Sequence, residues 1–366
     1  MTESRRFLTE QIITYIGNKR SLIPFIDKEI IKIKKILGKN KIILGDLFSG
    51  SGIVARAVKQ HAEILVINDL ELYSQIINSC YLSNYTDFDK EKYLYYCNII
   101  NEKLSKKDFI CGVISKNYAP ENEKFIQKDD RVFYTTKNAA IIDTIRNEID
   151  KIDSEYKKYF LAPLLYMASV HNNTAGVFKG FYKDSQTGVG KFGGNGEHAL
   201  NRIKGEIKIV EPVFSEFICD TLIFRKDANE LVKEDFDFDI VYLDPPYNQH
   251  PYGSNYFMLN VVAQNCLSPE ISKVSGIPSD WNRSNYNKRQ YALNAFNDLV
   301  NNIKSKFVII SYNSEGFISF DEMMELLRSF GKVSVKKNLY NTYRGSKNLR
   351  SRSLYVTEYL FILKKK

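Results

Sequence analysis

Residues that hold metals and disulfides are scarce in this chain. Five cysteines (Cys80, Cys97, Cys111, Cys219, Cys266) make no C-x-x-C pair, and four histidines (His61, His171, His198, His250) make no H-x-x-x-H. Reduced, structural thiols and no metal site are expected. No apolar run approaches the roughly 18 residues of a membrane-spanning helix, and MTESRRFLTEQ lacks the charged-then-apolar layout of a signal peptide, so a cytoplasmic protein is expected. The pattern G-x-G-x-x-G is also missing, because Gly50-Ser51-Gly52 runs on to Ala55. A nicotinamide dinucleotide is thereby disfavoured, and a ligand at that turn need carry no pyrophosphate.

What the chain does have is length and positive charge. At about 150 residues per domain, 366 residues suffice for roughly two to two and a half domains and for a core that needs neither disulfide nor metal. The formal charge of +9 is unevenly placed: residues 332–366 hold ten Lys or Arg against one acid, Glu358, and account for all of it. Either this is a solvated basic terminus or it faces a polyanion, and its place relative to a catalytic motif decides between them.

Two βα units come first. From Lys41, KIILGDLFSGSGIVARAVKQHA reads as a buried strand, a glycine turn and a helix with Val54, Ala55 and Val58 on one face. EILVINDLELYSQIINSCYLSN gives a second strand ending at Asp69 and a helix with Ile76, Ile77 and Cys80 inward. Consecutive βα units argue for α/β class and an open, doubly wound, mostly parallel sheet. The rhythm breaks over residues 86–215: a polar helical stretch, a longer one near 138–170, and a loop from His171 to Gly205 holding eight of the nineteen glycines. It resumes at Thr221 with TLIFRKDANELV and FDIVYLDPPYN, then a helix around Phe257 to Cys266, the polar segment WNRSNYNKRQY, the strand KFVIISYN and the helix DEMMELLRSF. KVSVKKNLY and LYVTEYLFIL close the chain as an expected antiparallel pair.

Three βα units of roughly thirty residues would place strand four about ninety residues after strand one. Asp46 and Asp244 are 198 positions apart, leaving about a hundred residues surplus. The expected organisation is one discontinuous domain, 1–85 with 216–366, split between strands two and three by a helical, loop-rich insert at 86–215.

The turn from Asp46 through Phe48 to Gly50 and Gly52 follows a strand and opens a helix, so it either lets a ligand approach the backbone or serves packing alone. Asp69 can accept hydrogen bonds from two ribose hydroxyls or cap the next helix. Together the two acids stand at the carboxyl edge of adjacent parallel strands and favour a nucleoside cofactor. Asp244-Pro245-Pro246-Tyr247 is the most specific signal. Its prolines fix φ and donate nothing, so a rigid strand end offers two acceptors, the Asp244 carboxylate and the Pro245 carbonyl, beside a ring that can stack on a base. That arrangement suits an exocyclic amino group.

On these motifs the chain resembles the amino-methylating DNA methyltransferases, in the group that modifies adenine at its exocyclic nitrogen and carries its target-recognition segment before the D-P-P-Y motif. The resemblance implies a Rossmann-like methyltransferase sheet and S-adenosylmethionine as cofactor. Tyr15-Ile16-Gly17-Asn18-Lys19 resembles the family's amino-terminal cofactor motif, Asp46 to Gly52 its glycine motif, Asp69 its ribose-binding acid, and Asp227 the acid beside the cofactor's adenine. Asp244, Pro245, Pro246 and Tyr247 resemble its catalytic motif, with Asp244 facing the cofactor as well. Lys19 would help hold a flipped base or its phosphate, or else be one more solvated lysine. The insert matches by position only.

The partners so implied are double-stranded DNA and, functionally, a cognate restriction endonuclease; monomer and dimer both stay open. An RNA adenine or DNA cytosine-N4 methyltransferase and a non-catalytic nucleic-acid-binding homologue are the alternatives, while the absence of any Pro-Cys pair disfavours a 5-carbon cytosine enzyme. Three basic segments are read as DNA contacts or as surface loops. They are the glycine loop with Lys179, Lys183, Lys191 and Arg202, the stretch Arg283 to Arg289, and the closing turn with Arg344 and Arg350. Ser311-Tyr312-Asn313 either lines the target pocket or ends its strand.

Overall fold

A computed structural model describes residues 3–17, 19–341 and 355–366. Seven strands form one sheet: β1 (Ile42–Asp46), β2 (Ala62–Asn68), β3 (Asp220–Phe224), β4 (Phe238–Leu243), β5 (Ser305–Asn313), β6 (Gly331–Asn341) and β7 (Tyr355–Lys365). Their order is β3-β2-β1-β4-β5-β7-β6. The first five are parallel, and β7 runs antiparallel to both β5 and β6. The expected closing pair therefore exists, with its second strand wedged between β5 and β6.

The central strands are apolar because helices cover both faces; all six residues of β4 are buried. The chain winds outward from β1 through β2 to β3, then returns to start β4 on the other side of β1. Strand order reverses between β1 and β4, and in open α/β sheets the crevice beyond the carboxyl ends at such a reversal is where ligands bind. Asp46 ends β1, paired with Tyr242 of β4, and Asp244 follows two residues later.

The segment 86–215 lies between β2 and β3 and contributes helices Lys90–Ser105, Val113–Tyr118, Thr136–Asp150, Lys157–Val170 and Leu200–Ile203. The single helical stretch expected near 138–170 is two helices, broken where Asp153 accepts from the amides of Tyr156 and Lys157. The insert is welded to the sheet domain rather than hung from it. Phe160, Leu164 and Leu165 share one core with Tyr73 and Ile77 of helix Leu72–Tyr81 and with Met258 and Leu259 of helix Phe257–Gln264. No helix among the described residues is long and apolar enough to cross a membrane.

Candidate active site at the sheet's switch point

The glycine turn after β1 is shaped by its neighbours. Gly52 has φ +73°, and a Cβ there would stand 2.3 Å from the buried Asn78 Oδ1. Gly50, at φ +50°, lies beneath the Tyr15 ring, which a Cβ would approach to 3.1 Å. Any other residue would meet both a strained backbone and a filled space. Asp69 holds the turn: Oδ2 accepts from the Gly50 N–H at 2.7 Å and Oδ1 from the Glu71 N–H at 2.9 Å. Burial nonetheless pushes the Asp69 carboxyl above its ordinary value.

Tyr15 is fixed by stacking on Tyr252 and Tyr256, with centroids 5.0 and 4.7 Å apart. The Tyr256 hydroxyl accepts from the Ile16 N–H at 2.7 Å. Asn18 lies outside the described residues. Phe48 meets Tyr286 edge-on at 5.3 Å, and Asp227 caps helix Ala228–Leu231 by accepting from the Asn229 N–H at 2.8 Å.

Tyr15, Phe48, Gly50, Asp69, Asp227, Tyr252 and Tyr286 line one cleft, together with Lys19, Asp46, Asp244 and Pro246. Every cofactor residue inferred from sequence except Gly52 lines it, and Gly52 caps the helix directly behind. Pro245 is buried behind the rim. Tyr247 packs at 6.1 Å against Tyr312, and burial raises its hydroxyl to about 12.

Asp46 is 1% exposed, and among the described residues its carboxylate meets no cationic side chain, only the backbone amides of Phe48 and Ala55 at geometry too loose for full hydrogen bonds. Burial, then the charges of Asp244 and Asp69, drive its pKa well above the ordinary carboxylate range. An unpaired acid in such a place is costly unless something cationic meets it.

Lys19 Nζ stands 3.0 Å from Asp244 Oδ1 and 3.1 Å from Glu358 Oε1. Burial disfavours its charge, but the two acids outweigh that and hold its pKa well above the usual value. The solvated-lysine alternative is thereby removed, since the side chain is 8% exposed. Burial raises the Asp244 carboxyl to about 6, with Lys19 pulling down and Glu358 pushing up.

Two acids of this site escaped the sequence reading. Glu71 is buried, its pKa pushed up to about 7 by burial and then Asp69, while Oε2 accepts from Asn260 at 2.7 Å and Asn282 at 3.1 Å. Glu358 had been counted only as the exception in a basic tail. Ser311 and Asn313 turn out to hold it: the Ser311 hydroxyl donates to Oε1 at 2.8 Å and Asn313 Nδ2 to Oε2 at 3.3 Å. The alternation of β5 and its pairing with β7 could have signalled this, since Asn313 stands opposite Glu358.

The basic residues divide. Lys179 and Lys183 are exposed on the glycine loop, with Lys183 over the Phe181 ring at 4.9 Å, and Lys191 is half-buried. Arg202 is spent internally, donating to the carbonyls of Val170, Asn172 and Thr174. The loop is pinned rather than loose, because buried Asn173 ties Val132 to Gly193. Arg283 lies over Trp281 at 4.4 Å and Arg289 over Phe317 at 5.1 Å, both exposed, whereas Asn282, Ser284 and Tyr286 of the same segment turn into the cleft. Arg344 and Arg350 lie outside the described residues. Lys364 to Lys366 sit at the opposite edge of the sheet from the cleft, where Lys365 Nζ donates to the Val300 and Ile303 carbonyls. Part of the basic tail thus does not face the site. Among the described residues no cluster of His, Cys, Asp and Glu is placed to hold a metal.

Residues 15–326 match a family model described as D12 class N6 adenine-specific DNA methyltransferase. The chain is 28% identical over 363 residues to the type II methyltransferase M.NlaIII of Neisseria lactamica, covering 96% of this chain and 99% of that one. It is 29% identical over 361 residues to M.CviAII of Paramecium bursaria Chlorella virus 1, covering 96% and 98% respectively. To the modification methylase StsI of Streptococcus sanguinis it is 30% identical over 368 residues, spanning 52% of that longer protein.

Proposed function

The chain belongs to the D12 class N6 adenine-specific DNA methyltransferases, and from that premise we propose that it transfers the methyl group of S-adenosylmethionine to the exocyclic nitrogen of an adenine flipped out of double-stranded DNA, as the protective half of a restriction-modification system working in the cytoplasm on the nucleoid. The observation that carries this reading is Asp244, which lines the cleft directly after β4 with its Oδ1 3.0 Å from Lys19 Nζ.

The residues fit the cofactor. Unpaired Asp46 accepts a cationic amino group, Gly50 brings bare backbone to the cleft, Asp69 and Asp227 offer acceptors for hydroxyl and amino donors, and Phe48 with Tyr286 gives an aromatic wall. When bound, the cofactor supplies an electrophilic methyl group. The chain's part is positioning. An adenine amino group is a poor nucleophile because its lone pair is delocalised into the ring. Asp244 and the Pro245 carbonyl accept hydrogen bonds from its two N–H groups, so that the nitrogen pyramidalises and its lone pair points along the line of transfer. The proton that the methylated nitrogen then loses passes to the Asp244 carboxylate and on to solvent. Tyr247 stacks on the extruded base. No covalent enzyme intermediate arises, so no cysteine or lysine nucleophile is needed. Exposed Lys179, Lys183, Arg283 and Arg289, with Arg344 and Arg350, supply phosphate and base contacts.

The reading is tested by expressing the chain in a methylation-deficient host and mapping modified bases by single-molecule sequencing. N6-methyladenine at one short sequence is expected; unmodified DNA in the presence of folded protein would sink it. Asp46→Asn gives a second expectation, of opposite signs. Removing the buried unpaired charge raises the melting temperature of the ligand-free protein, while methyl-donor affinity falls about 10- to 100-fold, as expected for losing a charged hydrogen bond. Thermal melts and calorimetric titration read the two effects separately.

A further inference from the structure

Glu358 is the one acid among ten bases in residues 332–366, yet its side chain is only 6% exposed. Burying a carboxylate costs several kcal/mol unless it is paired and hydrogen-bonded. Here donors from two separate parts of the chain meet it: Lys19 at 3.1 Å from before β1, and Ser311 and Asn313 at 2.8 and 3.3 Å from β5. The same ammonium stands 3.0 Å from Asp244 Oδ1. One buried cation is therefore divided between a buried carboxylate, Glu358, and a half-buried one, Asp244.

The division matters for the chemistry of Asp244. Facing Asp244 alone, Lys19 would neutralise the charge with which that carboxylate accepts an amino hydrogen. With Glu358 present the three groups together keep one net negative charge. We propose that Glu358 is a positioning residue for methyl transfer: it anchors Lys19 beside Asp244 and draws on its charge, leaving the Asp244 carboxylate an effective acceptor for the target amine. The proposal rests on the role given to Asp244 above.

The other groups facing Asp244 are Tyr242, Tyr247, Tyr252 and Asp46. Glu358 acts on the Asp244 carboxyl in the same direction as burial, and Lys19 in the opposite one.

The test compares pH profiles of single-turnover methyl transfer on a duplex carrying the mapped site. In Glu358→Gln the acid limb moves to lower pH by about one unit and the plateau rate falls roughly 10-fold, because Asp244 becomes fully paired with Lys19. Methyl-donor affinity stays unchanged. A role in folding alone would lower the melting temperature and leave the limb in place, which would overturn the proposal. Glu358→Asp keeps the charge but withdraws it by one methylene, and should show a smaller shift in the same direction. If the amide variant does not fold, the Asp variant carries the test, and an unmoved limb there is equally fatal. Asp244→Ala is run alongside. Full activity in that variant refutes the role of Asp244 itself, whereas an inactive Asp244→Ala with unmoved Glu358 profiles refutes only the proposal.

Discussion

Asp244→Ala abolishes detectable methyl transfer, with an expected loss of about 10³-fold or more in single-turnover rate, while methyl-donor binding is largely retained. The size follows from what the carboxylate does. In the proposed role it accepts a hydrogen bond from an amine that cannot otherwise present its lone pair. Retention of donor binding follows from geometry, since Tyr15, Asp46, Gly50 and Asp69 line the cleft independently of it. The wild-type enzyme carries a related signature. With the Asp244 carboxyl raised to about 6, the accepting anion predominates above that pH, and the rate falls as pH drops through it. Rate measurements from about pH 5 to 8 check this limb; a flat profile would remove Asp244 from the chemistry.

Lys19→Met is expected to be the most destabilising single change at the site, costing about 3–5 kcal/mol at neutral pH. It leaves Asp244 and Glu358 as neighbouring carboxylates without their shared cation. The pH dependence has a definite sign. Asp244 in the variant titrates above its unfolded value, since it already reaches about 6 with Lys19 in place. Its contribution to stability is then fully present below the unfolded carboxylate value of about 4 and is lost as pH rises through the folded one. Denaturant titrations of wild type and variant should therefore converge in acid and separate toward neutrality. A difference that stays constant across this range would mean that lost packing, not the unpaired charges, sets the cost.

The mostly parallel sheet and its antiparallel closing pair were legible because each rests on local pattern. Buried strands, glycine turns and the spacing of Asp46 from Asp244 survive in one dimension. That Asp46, Asp69, Asp227 and Asp244 meet at one cleft was legible for the same reason, since motif order places them on successive strand ends. Glu71 and Glu358 were not legible: what holds each in place is a partner far away in the chain, Asn260 and Asn282 for one, Lys19 for the other. Charge counting misled in a specific way. The tail's lysines looked like one basic surface, but β7 is antiparallel, so Glu358 is carried to the catalytic edge and Lys364 to Lys366 to the far one. Arg202 looked available for phosphate and instead closes three backbone carbonyls.

The wedge position of β7 also imposes an order on synthesis. β6 leaves the ribosome before β7, yet it joins the sheet only through β7. A nascent chain that already contains the glycine turn, the prolines after β4 and all of β6 still has β5 as an unfinished edge, and Lys19 has one of its two acids. Closure of the sheet and completion of the buried charge cluster are thus a single late event, which waits for residues 355–365.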